Sequence, residues 1–195
     1  MRPARPDEAR ELAEILIEVV DWGRLRDLGV RFNTIMHRCF IRSRYGVCLV
    51  LERDGNLVGY GAGVSHYRKF HREMIWRYGL LMGLVLLPKL VTRKNRQTVI
   101  RAFTYFPQAP ENDPKAELVC MNVRKAAQGG GAGRRLFDGL MEGLKARGVK
   151  QVKLGHVDVT RPGPNAYWKS MGARLLRTEP FYDHNTVNVY VYDIP

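Results

Sequence analysis

At 195 residues the chain is long enough to bury a core as one domain, read here as a single unit over 1–195 with a helical insertion at about 66–101. Hydrophobic residues make up 45% and charged residues 26%, which excludes wholesale disorder. The 32 Lys+Arg against 19 Asp+Glu leave a net charge of +13, a balance that favours an anionic partner: nucleic acid, a phosphorylated cofactor or an anionic membrane surface. Cys39, Cys48 and Cys120 lack CxxC spacing and sit in apolar runs, so they read as reduced core residues of a cytoplasmic protein. The opening Met1–Glu8 has no apolar stretch of signal-peptide type.

Asp7 is the expected N-cap of a first helix carrying Leu12, Ile15, Leu16, Val19 and Val20 at helical spacing. Leu25, Leu28, Phe32, Ile35, Met36 and Cys39 form a second stripe. The period then changes. Val47–Leu51, the turn Asp54-Gly55-Asn56 and Leu57–Val64 predict a β-hairpin. Its second strand carries Gly59, Gly61 and Gly63, so an element should pack closely on one face. Residues 66–101 hold nine Lys/Arg and one acid, Glu73. Within them Gly79–Leu87 is apolar nearly all round but too short to span a bilayer, which takes about 20 residues. With Pro88 as a breaker, the stretch predicts an inserted helical pair. Pro107–Pro114 reads as a loop and Ala116–Val123 as a buried strand. Leu136–Leu144 reads as a helix stopping at Gly148, and Val149–Val157 as a strand. Arg161–Pro164 reads as a turn and Asn165–Met171 as a short helix ending at Gly172. Ala173–Arg177 and Thr186–Tyr192 are the closing strands. The order is α/β with a mixed sheet.

The segment that carries chemistry is strand, glycine loop, helix: Glu117–Val123, then Gln128-Gly129-Gly130-Gly131-Ala132-Gly133-Arg134-Arg135. Glycines admit a ligand close to the backbone, and the helix start offers unpaired N–H groups and a positive dipole end, so together they can cradle a pyrophosphate. Arg134 and Arg135 oppose the macrodipole unless an anion sits there. A P-loop would need Lys-Ser/Thr after the glycines, and a dinucleotide fingerprint would need GxGxxG in the first βαβ unit. Neither is present. Gln128-x-x-Gly131-x-Gly133 instead matches the Q/R-x-x-G-x-G/A loop of the GNAT acyltransferases. A plain flexible turn before a helix is the other reading.

The sequence resembles the GNAT superfamily over about 150 of its 195 residues in the order of its elements. These are the two N-terminal helices, the hairpin with a glycine-rich second strand, the strand ending Asn122-Val123, the Gln-Gly loop, and Asn165-Ala166-Tyr167-Trp168-Lys169-Ser170-Met171-Gly172-Ala173. The resemblance implies a mixed, mostly antiparallel sheet flanked by helices, with the fourth and fifth strands splayed. It implies acetyl-CoA as cosubstrate and an N-acetyltransferase acting on an amine. By the same resemblance, Met121, Asn122 and Val123 would contact the pantetheine arm, with an N–H near Val123 polarising the thioester carbonyl. Amides of Gly129, Gly130, Gly131, Ala132, Gly133 and Arg134 would hold the pyrophosphate. Glu117, eleven residues before Gln128 as in histone-acetylating members, would be the general base; the alternative is a charged strand-edge residue. The usual acid, a Tyr four residues before the motif's Gly, is here Trp168, whose indole can only donate. Tyr167 is kept as the candidate acid, although helical geometry points it about 100° away. Asn165 would either bond the pantetheine or cap its helix.

His156 and Asp158 end a strand on one side and could pair over a substrate, or simply be solvated. No His/Cys/Asp/Glu spacing suggests zinc. The insertion is open to three readings: a lid for an acidic or phosphorylated acceptor, an interfacial helix touching a membrane through 75–90, or a dimer or core-packing element. Two function classes stand. One is an acyltransferase whose acceptor is a small-molecule or peptide amine. The other is a GNAT-like module that binds nucleic acid or membrane without catalysis. The intact loop, and the absence of a nucleic-acid-binding motif, favour the first.

Overall fold

The computed structural model describes residues 1–20, 24–88, 113–181 and 185–195. Among them are strands β1 (Arg2–Pro3), β2 (Gly46–Arg53), β3 (Asn56–Val64), β4 (Ala116–Val123), β5 (Gln151–Asp158), β6 (Arg174–Phe181) and β7 (Asn185–Asp193). The helices are α1 (Ala9–Val19), α2 (Arg24–Arg42), α3 (Tyr67–Leu86), α4 (Ala132–Lys145) and α5 (Pro162–Ser170). The sheet order is β1-β2-β3-β4-β5-β7-β6. Every neighbouring pair is antiparallel except β4 with β5. This is the mixed, mostly antiparallel α/β sheet expected from the element order.

Strand alternation gives the sheet two apolar faces. Cys48, Val50, Tyr60, Ala62 and Val64 point toward α1, α2 and α3 and join one buried cluster. Val47, Leu118, Leu154, Val157 and Tyr190 join a second with α4 residues Phe137, Leu140, Met141 and Leu144. The hairpin turn has Asp54 and Gly55 both at positive φ (52° and 76°), the geometry that matches strand twist. The expected close packing on the glycine-rich strand is that of α4. A Cβ added at Gly61 would stand 2.4 Å from Leu140 Cδ1, and one at Gly143 would stand 2.8 Å from Val47 Cγ1. Glycines on both partners let the helix sit down on the sheet.

Three expectations change: the start of the first helix, the start of the helix at Asn165 and the continuity of the second stripe. Asp7 is not an N-cap: Pro6–Glu8 form a 3-10 turn and α1 starts at Ala9. The buried Glu8 carboxylate holds that start by accepting from Arg5 N–H at 2.7 Å and pairing with Arg2 at 2.6 Å. The helix expected at Asn165 begins earlier, because Pro162 in the first helical turn has its φ already set. The start of the insertion is one 20-residue helix, α3, capped by His66. Its remainder, with Lys89, Arg93, Lys94, Arg96 and Arg101, lies outside the described residues, as does most of the 107–114 loop. The second stripe is also broken at Gly29 (φ 81°), where L side chains are disfavoured.

Two glycines test this packing. Gly61→Ala should lower stability in urea unfolding by about 1–3 kcal/mol, since the fully buried Leu140 cannot move aside freely. Gly83→Ala on α3, where a Cβ meets nothing within 4 Å, should raise it by about 0.5–1 kcal/mol.

Candidate active site

The parallel strands β4 and β5 are paired only at Ala116–Val152, Glu117–Lys153 and Leu118–Leu154. Both then shift register against their outer neighbours. β4 passes from Leu118 to Cys120 opposite Gly63 and Ala62, skipping Val119. β5 passes from Leu154 to His156 opposite Tyr190 and Val189, skipping Gly155. Each strand has one extra residue directly after its last shared pair, and an extra residue bends and twists its strand. The two strands part there and leave facing backbone edges. Arg124 N–H donates to Val58 O at 2.9 Å. Alternation therefore turns the N–H groups of Met121 and Val123 away from β3 and into the gap. The backbone of Asn122, expected to share in the pantetheine contacts, faces Tyr60 of β3 instead.

The glycine loop follows at the open end of this gap. Gly129 (φ 85°) and Gly131 (φ 72°) both need the left-handed region, and a Cβ on either would meet open space. Gly131 is the N-cap of α4, and the first intrahelical bond runs from Arg135 N–H to Gly131 O. The N–H groups of Ala132, Gly133 and Arg134 thus lie in the unpaired first turn. Gln128 fixes the loop by donating from Nε2 to Val123 O at 2.9 Å. The Arg134 side chain pairs with Asp138 at 3.0 Å, which relieves part of its conflict with the helix dipole. Arg53, at the end of β2, reaches the loop from outside: its Nη2 lies 3.9 Å from a Cβ built on Gly130. It had no sequence signal, because the hairpin that carries it is distant in sequence.

On α5 the adjacent aromatics Tyr167 and Trp168 touch edge to face, with ring centroids 5.1 Å apart, but reach different partners on α4. Trp168 packs on Phe137, with ring centroids 5.9 Å apart. Tyr167 reaches the first turn of α4: a Cβ on Gly133 would stand 3.1 Å from its hydroxyl and 3.9 Å from Met121 Cε. That hydroxyl is buried and has no hydrogen-bond partner among the described residues. Burial pushes its pKa upward, so it is a protonated donor at neutral pH. Asn165 corrects an expectation. Its Nδ2 donates to the carbonyls of Asp158 (2.8 Å) and Arg161 (2.6 Å), and its Oδ1 accepts from Asn188 (2.9 Å) and Tyr190 (2.8 Å). All four hydrogen-bonding positions of the amide are taken, leaving none for a pantetheine. Nor is it the N-cap, which is Arg161.

The two register shifts also sort side chains by face. Leu118, Met121, Leu154 and Val157 pack on the α4 side. Glu117, Asn122, Lys153 and His156 take the other. Glu117 pairs with Lys153 Nζ at 3.0 Å, and both are buried. Lys153 also lies 3.7 Å from Asp113, which Arg177 holds, and Arg177 pairs with Glu179 at 2.6 Å. Glu179 meets His156 Nε2 at 3.3 Å. Burial raises the Glu117 pKa despite the opposing charge of Lys153. Burial, with Lys153 nearby, pushes His156 down to about 4, so at neutral pH it meets Glu179 as an uncharged ring. Of the two readings of His156 and Asp158, the pair does not form: Asp158 Oδ1 accepts from the N–H and hydroxyl of Thr160.

A second polar line runs inward from the same face. Asn122 Nδ2 donates to the Tyr60 hydroxyl at 3.0 Å, and that hydroxyl meets His37 Nε2 at 2.8 Å. His37 Nδ1 is 2.6 Å from Asn33 O, so Nδ1 carries the proton and Tyr60 donates to Nε2. Burial drives His37 to about 4. Among the described residues no group of three His, Cys, Asp or Glu could hold a metal ion.

Residues 16–173 match the acetyltransferase (GNAT) family. Solved structures share the fold at low identity. The ribosomal-protein-S18-alanine N-acetyltransferase from Escherichia coli is 12% identical with a TM-score of 0.61, over 98% of this chain and 91% of that one. yncA from Salmonella typhimurium, solved with its cofactor acetyl-CoA, is 15% identical with a TM-score of 0.61, over 100% and 92%. The paia N-acetyltransferase from Thermoplasma acidophilum, in complex with coenzyme A, is 10% identical with a TM-score of 0.60, over 98% and 96%. No curated protein sequence matches the chain.

Two stability measurements probe the polar face. Lys153→Met should cost about 3–5 kcal/mol in chemical unfolding, because it strands Glu117 and Asp113 without their buried cation. The His37 pKa is about 4 in the fold and about 6.5 unfolded, so below pH 6.5 the unfolded chain takes up a proton that the fold refuses. Stability should therefore fall as pH drops from 6.5 to 4, by roughly 3 kcal/mol from this residue. Unfolding His37→Gln at several pH values should show a flatter profile.

Proposed function

Because the chain belongs to the GNAT acetyltransferase family, we propose that it is an N-acyltransferase that moves an acetyl or short acyl group from acyl-CoA to a primary amine of a small molecule or peptide. The observation that carries this reading is the wedge between β4 and β5, opened by paired register shifts at Val119 and Gly155 beside the Gln128–Gly133 loop. The residues fit the cosubstrate. The inward N–H groups of Met121 and Val123 are placed to pair with the pantetheine arm as an added strand. The amides of Gly129–Arg134, with Arg53 nearby, suit the pyrophosphate. Tyr167 has a buried hydroxyl in want of a partner at the same place.

The chemistry follows from two faces meeting at the gap. The cosubstrate lies on the loop side, and the amine approaches from the side of Glu117 and His156. An ammonium must lose a proton before its nitrogen can attack. Glu117 is the base, taking that proton directly or through a water, and its raised pKa makes it a better acceptor than a solvated carboxylate. A new N–C bond forms, the C–S bond breaks, and the leaving thiolate takes a proton from Tyr167; the second proton shed by the nitrogen returns to the Tyr167 oxygen through water. Trp168 is not the acid: it is packed on Phe137 and its N–H is too weakly acidic. Lys153 holds the Glu117 carboxylate in place through the 3.0 Å pair.

The test has a binding arm and a turnover arm. Acetyl-CoA should raise the melting temperature in a concentration-dependent way, ATP should not match it, and Gly131→Glu should abolish the shift. With an accepted amine, Glu117→Gln should lower kcat by about 10²–10⁴-fold while leaving the thermal shift intact. It should also remove the rise in activity with pH that accompanies deprotonation of Glu117. Unchanged turnover in Glu117→Gln would move the base elsewhere, and an equal shift with ATP would reduce the loop to a general anion site.

A further inference from the structure

α3 has two apolar faces, and among the described residues only one of them is packed. On the inner face Phe70, Met74, Met82 and Leu86 are buried, and Phe70 stacks on Phe40 of α2 with ring centroids 4.7 Å apart. The helix is further pinned by Ser43, which donates to Glu73 at 2.7 Å. It therefore cannot roll its outer face inward. That outer face carries Trp76 at 85% exposure, Leu80 at 83%, Leu87 at 55% and Leu84 at 54%. Large side chains this exposed on one contiguous helical strip mark an interaction surface rather than scattered surface apolarity.

The strip is graded along its length. With 100° per residue, Lys69, Arg72, Leu80 and Leu87 lie within about 40° of Trp76 on one line. The exposed cations Arg68, Lys69 and Arg72 occupy the first two turns. Trp76 stands at the boundary, and the leucines follow it as far as Leu87, about 16 Å along the axis from Trp76. The one acid of the helix, Glu73, is turned to Ser43 and Arg77 and does not neutralise this end. We propose that α3 is a docking helix that seats the protein on a bilayer surface rich in anionic headgroups. Leu80, Leu84 and Leu87 enter the acyl boundary, Trp76 sits at headgroup level, and Arg68, Lys69 and Arg72 meet the phosphates. Charge selects this occupant over a second copy of the chain: each molecule carries +13, so two copies repel one another while an anionic surface attracts them. No helix among the described residues is long and apolar enough to cross a membrane, so the contact lies in the surface plane.

Sedimentation with vesicles tests the proposal on the full chain. Binding should be strong to vesicles of equal parts phosphatidylcholine and phosphatidylglycerol, weak to phosphatidylcholine alone, and reduced by salt. Leu80→Glu/Leu84→Glu should lower partitioning at least tenfold with an unchanged melting temperature. Lys69→Gln/Arg72→Gln should lower it by about fivefold per charge removed. Absence of wild-type binding to the mixed vesicles overturns the proposal, as does equal binding to both compositions. A wild-type dimer in light scattering that the leucine pair dissociates, without vesicle binding, assigns the face to a second copy and overturns it. An earlier melt of the leucine pair means that the chain itself covers the strip, and overturns it too.

Discussion

Two parallel strands part where each is bent by an extra residue against its own outer neighbour, and here both carry one at the same level. Val119 in β4 and Gly155 in β5 each lack a partner on the outer strand directly after the Leu118–Leu154 pair. Each strand stays in step with its outer neighbour by bending, so the pair opens along the line between them. The gap is thus produced by the two halves of the sheet pulling on their own ladders. It exposes backbone groups in the interior without a side chain having to create the space.

The same shifts decide what lines the gap. A single residue of slip exchanges the faces of a strand, and two matched slips exchange them together. Apolar Met121 and Val157 stay on the side of α4, while Glu117, Asn122, Lys153 and His156 collect on the other. The buried charges there are viable because they are linked: Lys153 answers Glu117 and Asp113, and Arg177 answers Asp113 and Glu179. His37 and His156 stay neutral in this environment. The close seating of α4 on Gly61 then sets its first turn, and the N–H groups at its start, against the mouth of the same gap.

Much of this was legible in the sequence. The strand 116–123 has its expected bounds, the Asp54-Gly55 turn is where the hairpin pattern put it, and the alternating glycines of β3 do receive a helix. The loop was legible because glycine conformation and a helix start are local properties. The errors also have local causes. Pro162 set a helix start that the Asn165 signal obscured, and Glu8 held the α1 start through ion pairs that Asp7 alone does not suggest. Asn165 looked free to bind because its four partners come from the end of β5, the Arg161 turn and β7, and the contacts to β7 arise only on folding.

The sequence by itself determined the order of elements, the glycine loop with its helix, and the presence of an apolar, cationic helix between β3 and β4. Period, turn chemistry and backbone freedom act over a few residues, so they can be read from a string. Tertiary structure alone decided where β4 and β5 part, that the Tyr167 hydroxyl faces the α4 start, that Glu117 is held by Lys153, and that the outer strip of α3 is exposed among the described residues. Each of these depends on register between strands or on the rotation of a helix against its neighbours. A shift of one residue in either reverses the side on which a group appears, and that shift is fixed only when distant segments pack.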